Sequence, residues 1–373
     1  MRLVSLRLRA FRNLAEALFE PHPRFNIIAG ANAQGKSNLL EAVHVLATMR
    51  SFRTHRAAEL VHFDAKMARL DAVLERTVSR RNVRIEFDAR SRRAWIDERF
   101  VRRRVDYLGF FHVVLFCPDD VGLMQEAPAV RRAFLDRAVY HSRALHASEL
   151  ERYLAVLAQR NALFKNLPPR LDLLELYGEQ LRQLGARIIS ARLDYLRLLE
   201  PYFQDAFAKI FGESRAVRFE YQASWMDRVE LSMQLSTAQI EARLAAASAA
   251  LRARELSRGS TLVGPHRDDL LLLLDNRPAR SHASQGQQRA LVLALKTSEI
   301  NLLADRFETR PVLLLDDVSS ELDPRRSAQL FAFLSGFNGQ VFVTTSSAEY
   351  VKIQSPRIQW SVHEGEFSKA LST

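Results

Sequence analysis

The segment GANAQGKS, from Gly30 to Ser37, constrains this chain more than any other. It fits G-x-x-x-x-G-K-[ST], a pattern that functions only as a tight loop joining a strand to a helix. Phe25 to Ala29 ahead of it is a short apolar run suited to a buried strand. Behind it, Leu39, Leu40, Val43 and Leu46 recur at helical spacing. Gly30 and Gly35 let the backbone curl so that its N–H groups face phosphate oxygens at a helix N-terminus. The candidate binding residues are therefore Gly30, Ala31, Asn32, Ala33, Gln34, Gly35, Lys36, Ser37 and Asn38. Lys36 is expected to neutralise the β- and γ-phosphates, and the Ser37 hydroxyl to ligate Mg²⁺.

A second segment supplies what the first lacks. Pro311-Val312-Leu313-Leu314-Leu315 is an apolar strand ending in Asp316 and Asp317. Two acids that merely cap a strand would look the same. In a chain already carrying Lys36 and Ser37, Asp316 is placed to hold Mg²⁺ through water, and Asp317 to orient or deprotonate an attacking water. The expected cofactors are ATP and Mg²⁺, with Lys36 and Asp317 as the catalytic pair and Ser37 and Asp316 on the metal.

Between these segments, Ser284-Gln285-Gly286-Gln287-Gln288-Arg289 opens an apolar helical run and resembles the signature of ABC ATPases. Ser284, Gly286 and Gln287 are the expected contacts to a γ-phosphate held by a second protomer. Ser320-Glu321-Leu322-Asp323 resembles the D-loop of the same class. A serine N-cap with a glutamine-rich first turn occurs in many helices. The order of loop, signature, acidic pair and D-loop is what distinguishes this one.

The gap between Lys36 and Ser284 is much longer than in compact transporter subunits, which points to an insert. Leu181, Leu184, Ile188, Ala191, Tyr195, Leu198 and Tyr202 follow alternating three- and four-residue steps. Leu150, Tyr153, Leu157, Asn161 and Phe164 repeat the pattern, and Pro168-Pro169 separates the two runs. These features predict a short antiparallel helical arm from about Ala129 to Arg254. The predicted fold is α/β: an ABC-ATPase-like head built from both ends of the chain, with an inserted α-helical arm domain. The head combines a P-loop core with an antiparallel β-lobe. The expected divisions are 1–130, 131–254 and 255–373.

Lys and Arg number 54 against 43 Asp and Glu, a formal net charge of +11, which suits a polyanionic partner such as DNA. Arginines crowd between Arg76 and Arg104, interleaved with the strand-like runs Val83–Phe87 and Ala94–Ile96. They fit a surface that tracks a phosphate backbone, and equally a solvated sheet face with internal ion pairs. One cysteine, Cys117, excludes an intramolecular disulfide and fits a reducing cytoplasm. No apolar run reaches membrane-spanning length, and MRLVSLRLRAFRN lacks the apolar core of a secretory signal. A cytoplasmic protein with no membrane partner is expected.

Further segments carry a closer resemblance. They are Leu6 to Asn13, Arg50 to Thr54, Phe116 to Asp120, Arg131 to Asp136 and Gly264 to Asp269. Together with the ATPase motifs they resemble the RecF family of bacterial recombination mediators over nearly the whole chain. The resemblance implies a homodimer formed around two ATP molecules that grips duplex DNA and single/double-strand junctions. It further implies a role in repairing gapped DNA and stalled forks, with RecR and RecO helping RecA to load. In three places the chain departs from the general ABC pattern. Ala33 stands where many loops have glycine, Ala283 replaces a signature leucine, and Thr344-Thr345 stands where a switch histidine would follow a strand. Any hydrolysis is therefore expected to be slow and to act as a switch. No Q-loop glutamine is assigned, and neither Asp119 nor Asp120 is given to the metal. Alternative readings are a transporter-coupled ABC subunit, which the heptads oppose, and another SMC-like DNA-holding or nuclease-associated head. A lone cysteine excludes a CxxC hook. His266 with Asp268 and Asp269 reads as a strand-entry turn held by local hydrogen bonds rather than as a catalytic group.

Overall fold

In the N-terminal segment arginines alternate with apolar residues, and an extended backbone sends them to opposite faces. β1 (Arg2–Phe11) accordingly buries Leu6, Leu8 and Phe11 and leaves Arg7 exposed. It pairs antiparallel with β2 (Leu14–Phe19) and β4 (Ala68–Arg76). β5 (Ser79–Phe87), β6 (Arg92–Ile96) and β7 (Arg99–Phe100) complete a six-stranded antiparallel sheet ordered β2-β1-β4-β5-β6-β7. This is the β-lobe expected from the sequence. The coordinates are a computed structural model describing residues 1–370 apart from 55, 78, 118, 144, 167–168, 212–214, 226–228, 230–233, 318–329, 331–332 and 352–354.

The second large sheet uses β3 (Phe25–Ala29), β8 (Val113–Phe116), β12 (Val312–Leu315), β13 (Val341–Thr345) and the hairpin β14 (Arg357–His363) and β15 (Glu366–Ala370). Its order is β15-β14-β3-β13-β12-β8, and every neighbour pair except the hairpin is parallel. β8 and β12 are buried along their whole length, as parallel strands covered on both faces must be. α1 (Lys36–Thr48) packs between the two sheets and is buried nearly all round. Each of Leu39, Leu40 and Leu46 is fully buried and contributes about 1.5–3 kcal/mol by leaving water. Phe19 of the β-lobe packs with its ring centroid 4.2 Å from that of Trp360 and 6.1 Å from that of Phe342, both tilted, joining the two sheets in one core.

Further α-helices among the described residues include α2 (Arg104–Tyr107), α3 (Asp119–Gly122), α4 (Pro128–Ser142), α5 (Leu145–Leu163), α6 (Leu171–Phe211), α7 (Thr237–Arg258), α8 (Ala279–His282) and α9 (Gln285–Phe307). Tyr153 of α5 packs with Leu181, Leu184 and Ile188 of α6, and Arg160 Nε donates to Leu174 O at 3.1 Å, so α5 and α6 run antiparallel. The heptad seam holds from Leu181 to Tyr195 and then rotates away. Leu198 is 49% exposed, while Leu196, Leu199 and Phe203 are buried. A straight helix of 3.6 residues per turn drifts about 20° per heptad against a 3.5 repeat, so the buried stripe shifts by one position.

By contacts the chain divides into Met1–Asp120 with Ile300–Thr373, and Val121–Glu299. This differs from the expected lines at 130/131 and 254/255. A strand the sequence reading missed, β9 (Val217–Gln222), pairs antiparallel with β10 (Asp269–Leu274), and β11 (Arg277–Pro278) extends the sheet. β9 packs on α6 and β10 on α4, which draws 255–299 to the helical unit. The apolar run Leu270–Leu274 alternates between buried and half-buried residues. Among the described residues no helix is long and apolar enough to cross a membrane.

Candidate nucleotide-binding site

The loop between β3 and α1 has the geometry its sequence requires. A Cβ at Gly30 would lie 2.6 Å from Val362 O, and Gly35 sits at φ 113°. Both positions therefore need glycine. No side chain caps α1 at Gly35, and no acid occupies its first turn, so the helix presents an uncapped positive end. Ala31, Asn32 and Ala33 are exposed at the loop's crest. Ala33 takes φ 65°, the left-handed conformation that explains why related loops favour glycine there. The Lys36 ammonium lies 2.8 Å from both Gly30 O and Ala31 O. Burial lowers its pKa from the usual lysine value, while the carboxylates of Asp317 and Asp316 work the other way.

The acidic pair arrives from the far end of the sequence. The Ser37 hydroxyl donates to Asp316 Oδ1 at 2.7 Å, and Thr344 Oγ1 donates to the same oxygen at 2.8 Å. Asp316 is only 8% exposed, and Asp317 follows it at φ 47°. A hydroxyl and a carboxylate in direct contact, beside a glycine loop at a helix N-terminus, form the hard-oxygen donor set that suits Mg²⁺. Ser37 and Asp316 would hold it. Among the described residues no cluster of three His, Cys, Asp or Glu side chains forms a separate metal site.

Two predicted loop residues turn out to be anchors. Gln34 O accepts from Gly365 N at 3.0 Å, and its side-chain Oε1 accepts from Glu364 N at 2.5 Å, tying the loop to the β14–β15 turn. Asn38 Nδ2 donates to Asn13 Oδ1 at 2.7 Å, and Asn38 Oδ1 accepts from Arg53 at 2.7 Å. Glu41, buried in α1, accepts two bonds from Arg12 at 2.7 and 2.9 Å and one from Ser51, with Arg53 at 3.8 Å. The segments Leu6–Asn13 and Arg50–Thr54 thus meet on the first turns of α1. The available sequence signal was Glu41 itself, since a carboxylate within an all-buried helix requires a cation.

The signature segment opens α9, with Ser284 and Gln285 exposed. Ser284 N donates to Gln287 Oε1 at 2.8 Å and Gln287 N donates to Ser284 Oγ at 3.2 Å, a complete capping box. Gln288 is buried, donates to Ala283 O at 3.0 Å and accepts from Gln125 at 2.9 Å. Gln125 is a residue the sequence reading passed over. Asp120 Oδ2 accepts from Cys117 N at 2.8 Å and so closes a local turn. The expected D-loop, Ser320–Asp323, and the side chain of Asp119 lie outside the described residues.

The segments Arg131–Asp136 and Gly264–Asp269 come together in the helical unit. Arg131 pairs with Asp269 at 2.7 and 2.8 Å, and Arg132 donates to Asp268 O at 2.8 Å. Fully buried Arg192 grips Asp136 through two 2.8 Å bonds and reaches Pro265 O at 2.9 Å. Burial pushes Asp268 up, and Tyr221 and Ser224 hold it at 2.6 and 2.7 Å. The turn is held by Arg267 N to Gly264 O at 2.9 Å, but mostly by long-range partners rather than the local ones expected.

The arginine-rich β-lobe is extensively paired within itself. Arg80 meets Glu75, Arg81 meets Asp97, Arg84 meets Asp71 and Glu98, Arg93 meets Asp88, and Arg103 meets Asp106, all within 3.6 Å. Among the described residues no ion pair holds Arg90, Arg99 or Arg102. The side chain of Arg104 lies outside the described residues. Of the two open readings, the geometry matches a sheet face with internal ion pairs for most of the cluster.

Residues 2–368 match the family model for the RecF/RecN/SMC N terminal domain. The chain is 39% identical over 353 residues to the DNA replication and repair protein RecF of Citrifermentans bemidjiense, covering 95% of each chain. It is 34% identical over 365 residues to that of Lactobacillus johnsonii, covering 96% of each. The solved structure of the recombination mediator protein RecF-ATPrS in the RecFOR pathway superposes with a TM-score of 0.90 at 30% identity, covering 99% of this chain and 98% of that one. An SMC head bound to the C-winged helix domain of ScpA matches at a TM-score of 0.55 and 14% identity, a likeness of fold. With the ABC-type head assembled from both ends of the sequence, these matches over the full length place the chain in the RecF family.

Proposed function

We propose that this protein is an ATP-dependent DNA clamp in the recombinational repair of gapped DNA and stalled replication forks. The observation that carries the nucleotide part is the Ser37–Asp316 contact of 2.7 Å beside Lys36, at the uncapped start of α1. Support for the repair role comes from relatives named as DNA replication and repair proteins, and from RecF structures with ATP in the RecFOR pathway. Lys36 neutralises the terminal phosphates, and the loop N–H groups from Gly30 to Ser37 hold their oxygens. Mg²⁺ held by Ser37 and Asp316 would supply neutralisation of the phosphate charge. Asp317 orients the attacking water, and with no histidine after β13 hydrolysis is slow and serves as a switch. Ser284, Gly286 and Gln287 of a second copy close over the γ-phosphate, so two ATP molecules join two protomers. Closure presents the basic surfaces of both copies to duplex DNA or a single/double-strand junction. Loss of the γ-phosphate then releases the clamp. RecR, with RecO and RecA, is the partner set of this cytoplasmic pathway.

Light scattering with ATP and with ADP, each with and without gapped duplex DNA, tests the reading. The expected result is a dimer with ATP only, and tighter DNA retention by that dimer. A particle that stays monomeric under saturating ATP, and holds DNA equally well without nucleotide, refutes it.

A further inference from the structure

We propose that Thr344 is a positioning residue that sets the geometry of the Asp316–Asp317 pair, an inference that rests on the nucleotide-site reading above. β13 lies between β3 and β12 in the sheet, parallel to both. Leu315 is in register with Val343, so the next residue of β13, Thr344, falls beside Asp316. Thr344 is fully buried. Its hydroxyl has one proton and three neighbours. Asp316 Oδ1 lies at 2.8 Å, Leu315 O at 3.4 Å, and the Asp317 N–H donates to Thr344 Oγ1 at 2.9 Å. The shorter contact to a charged acceptor takes the proton, and the oxygen is then free to accept from Asp317 N. One hydroxyl thereby bonds both halves of the acidic pair.

Each bond has a separate consequence. Asp316 Oδ1 receives two hydroxyl protons, from Ser37 at 2.7 Å and from Thr344 at 2.8 Å. Were Ser37 to turn its oxygen to a metal, Thr344 would still fix the carboxylate's rotamer. Asp317 sits at φ 47°, a left-handed conformation costly for a residue with a Cβ, and the bond from its N–H to Thr344 offsets that cost. The neighbouring Thr345 has a different task, donating to Ser347 O at 2.9 Å. A threonine whose only task was to satisfy itself in a strand would bond a backbone carbonyl. Here the carbonyl is the most distant of its three partners.

The test compares Thr344→Val, which keeps the shape and removes the hydroxyl, with Thr344→Ser, which keeps the hydroxyl and removes a methyl. Binding of a fluorescent ATP analogue is titrated in EDTA and in Mg²⁺, and phosphate release and melting temperature are measured in parallel. The Thr344→Val protein is expected to bind in EDTA like the parent. It should lose about tenfold or more of the affinity gained with Mg²⁺, with a similar loss of turnover. Thr344→Ser is expected to restore both. A Thr344→Val protein with parental Mg²⁺ dependence and turnover overturns the proposal. So does a Thr344→Ser protein as defective as Thr344→Val, because the methyl's packing would then be what matters. If Thr344→Val fails to fold, Thr344→Ser and the parent still decide: parental Mg²⁺ dependence and turnover in Thr344→Ser support the hydroxyl's role, and a Thr344→Ser protein that loses either one overturns it. A parent that binds no nucleotide overturns the site reading itself, an outcome separate from any difference between variants.

Discussion

Ser37 Oγ and Asp316 Oδ1 stand 2.7 Å apart although 279 positions separate them in the chain. β3 and β12 flank the same strand, β13, so the residues at their C-terminal ends converge at one end of the parallel strands. Ligand sites of open parallel sheets form at such ends. The contact makes the candidate nucleotide site a joint product of the two chain ends.

Lys36 is the most direct probe of that site. The residue is 7% exposed and its ammonium bonds two loop carbonyls at 2.8 Å, leaving little room for a planar guanidinium. Lys36→Arg is expected to keep nucleotide binding within a few-fold and to lower turnover by about tenfold or more. Nucleotide titration and phosphate release measure the two effects separately. Parental turnover would falsify the assignment.

Ala33 holds φ 65° at the crest of the same loop. Ala33→Gly removes the clash of a Cβ in that conformation and is expected to raise stability by about 1 kcal/mol. Chemical denaturation checks it, and a lower midpoint would show that the loop carries no such cost.

Ser284 caps α9 and is exposed. Ser284→Arg is expected to cost about 1 kcal/mol of stability through the lost cap. It should leave nucleotide binding by the monomer intact and abolish the ATP-dependent dimer. Sedimentation with ATP reads the dimer, and persistence of that dimer removes Ser284 from the interface.

Arg192 is 1% exposed and paired with Asp136, which His146 also contacts at 2.8 Å. Arg192→Met leaves a buried carboxylate short of its main partner and is expected to destabilise the protein by about 3–5 kcal/mol. Adding Asp136→Asn is expected to recover part of that loss. Urea midpoints of the single and double variants decide whether the two residues act as a pair.

Acid sensitivity follows from buried histidines. Burial lowers His266 from 6.5 to about 4, and its ring lies 2.6 Å from the Tyr153 hydroxyl. Burial does the same for His112, also to about 4. As pH falls below 6.5 the unfolded chain takes protons that the folded chain refuses until about 4. Stability from these groups is therefore complete above that window and lost as pH falls through it, at up to about 1.4 kcal/mol per pH unit per histidine. Urea unfolding across the window is expected to show this decline, and His266→Gln to flatten it.

Much of the head was legible because its signals are local. The strand–loop–helix around Lys36 announces itself through glycine spacing and apolar periodicity, and Val312–Leu315 through an unbroken apolar run. The antiparallel arm followed from the heptads, except where helix drift exposed Leu198. β9 was missed because a six-residue strand inside a helical insert has its partner, β10, some fifty positions away. Thr344, Glu41 and Gln125 were also missed as site residues. The partners of Thr344 and Gln125 lie in distant segments, whereas Glu41 carried a local signal as a carboxylate in an all-buried helix.

The sequence by itself determined the glycine loop between a strand and a helix, the two carboxylates that end an apolar strand, the split of the head by an insert, and the excess of positive charge. These rest on residue type and short-range spacing, which the backbone reads within a few turns. Only the tertiary structure decided that Gln34 and Asn38 act as anchors and that Thr344 bonds both aspartates. It also decided that most β-lobe arginines are neutralised by neighbouring acids. Those outcomes depend on strand register and on which side chains meet across long sequence separations, where a shift of one residue reverses every face.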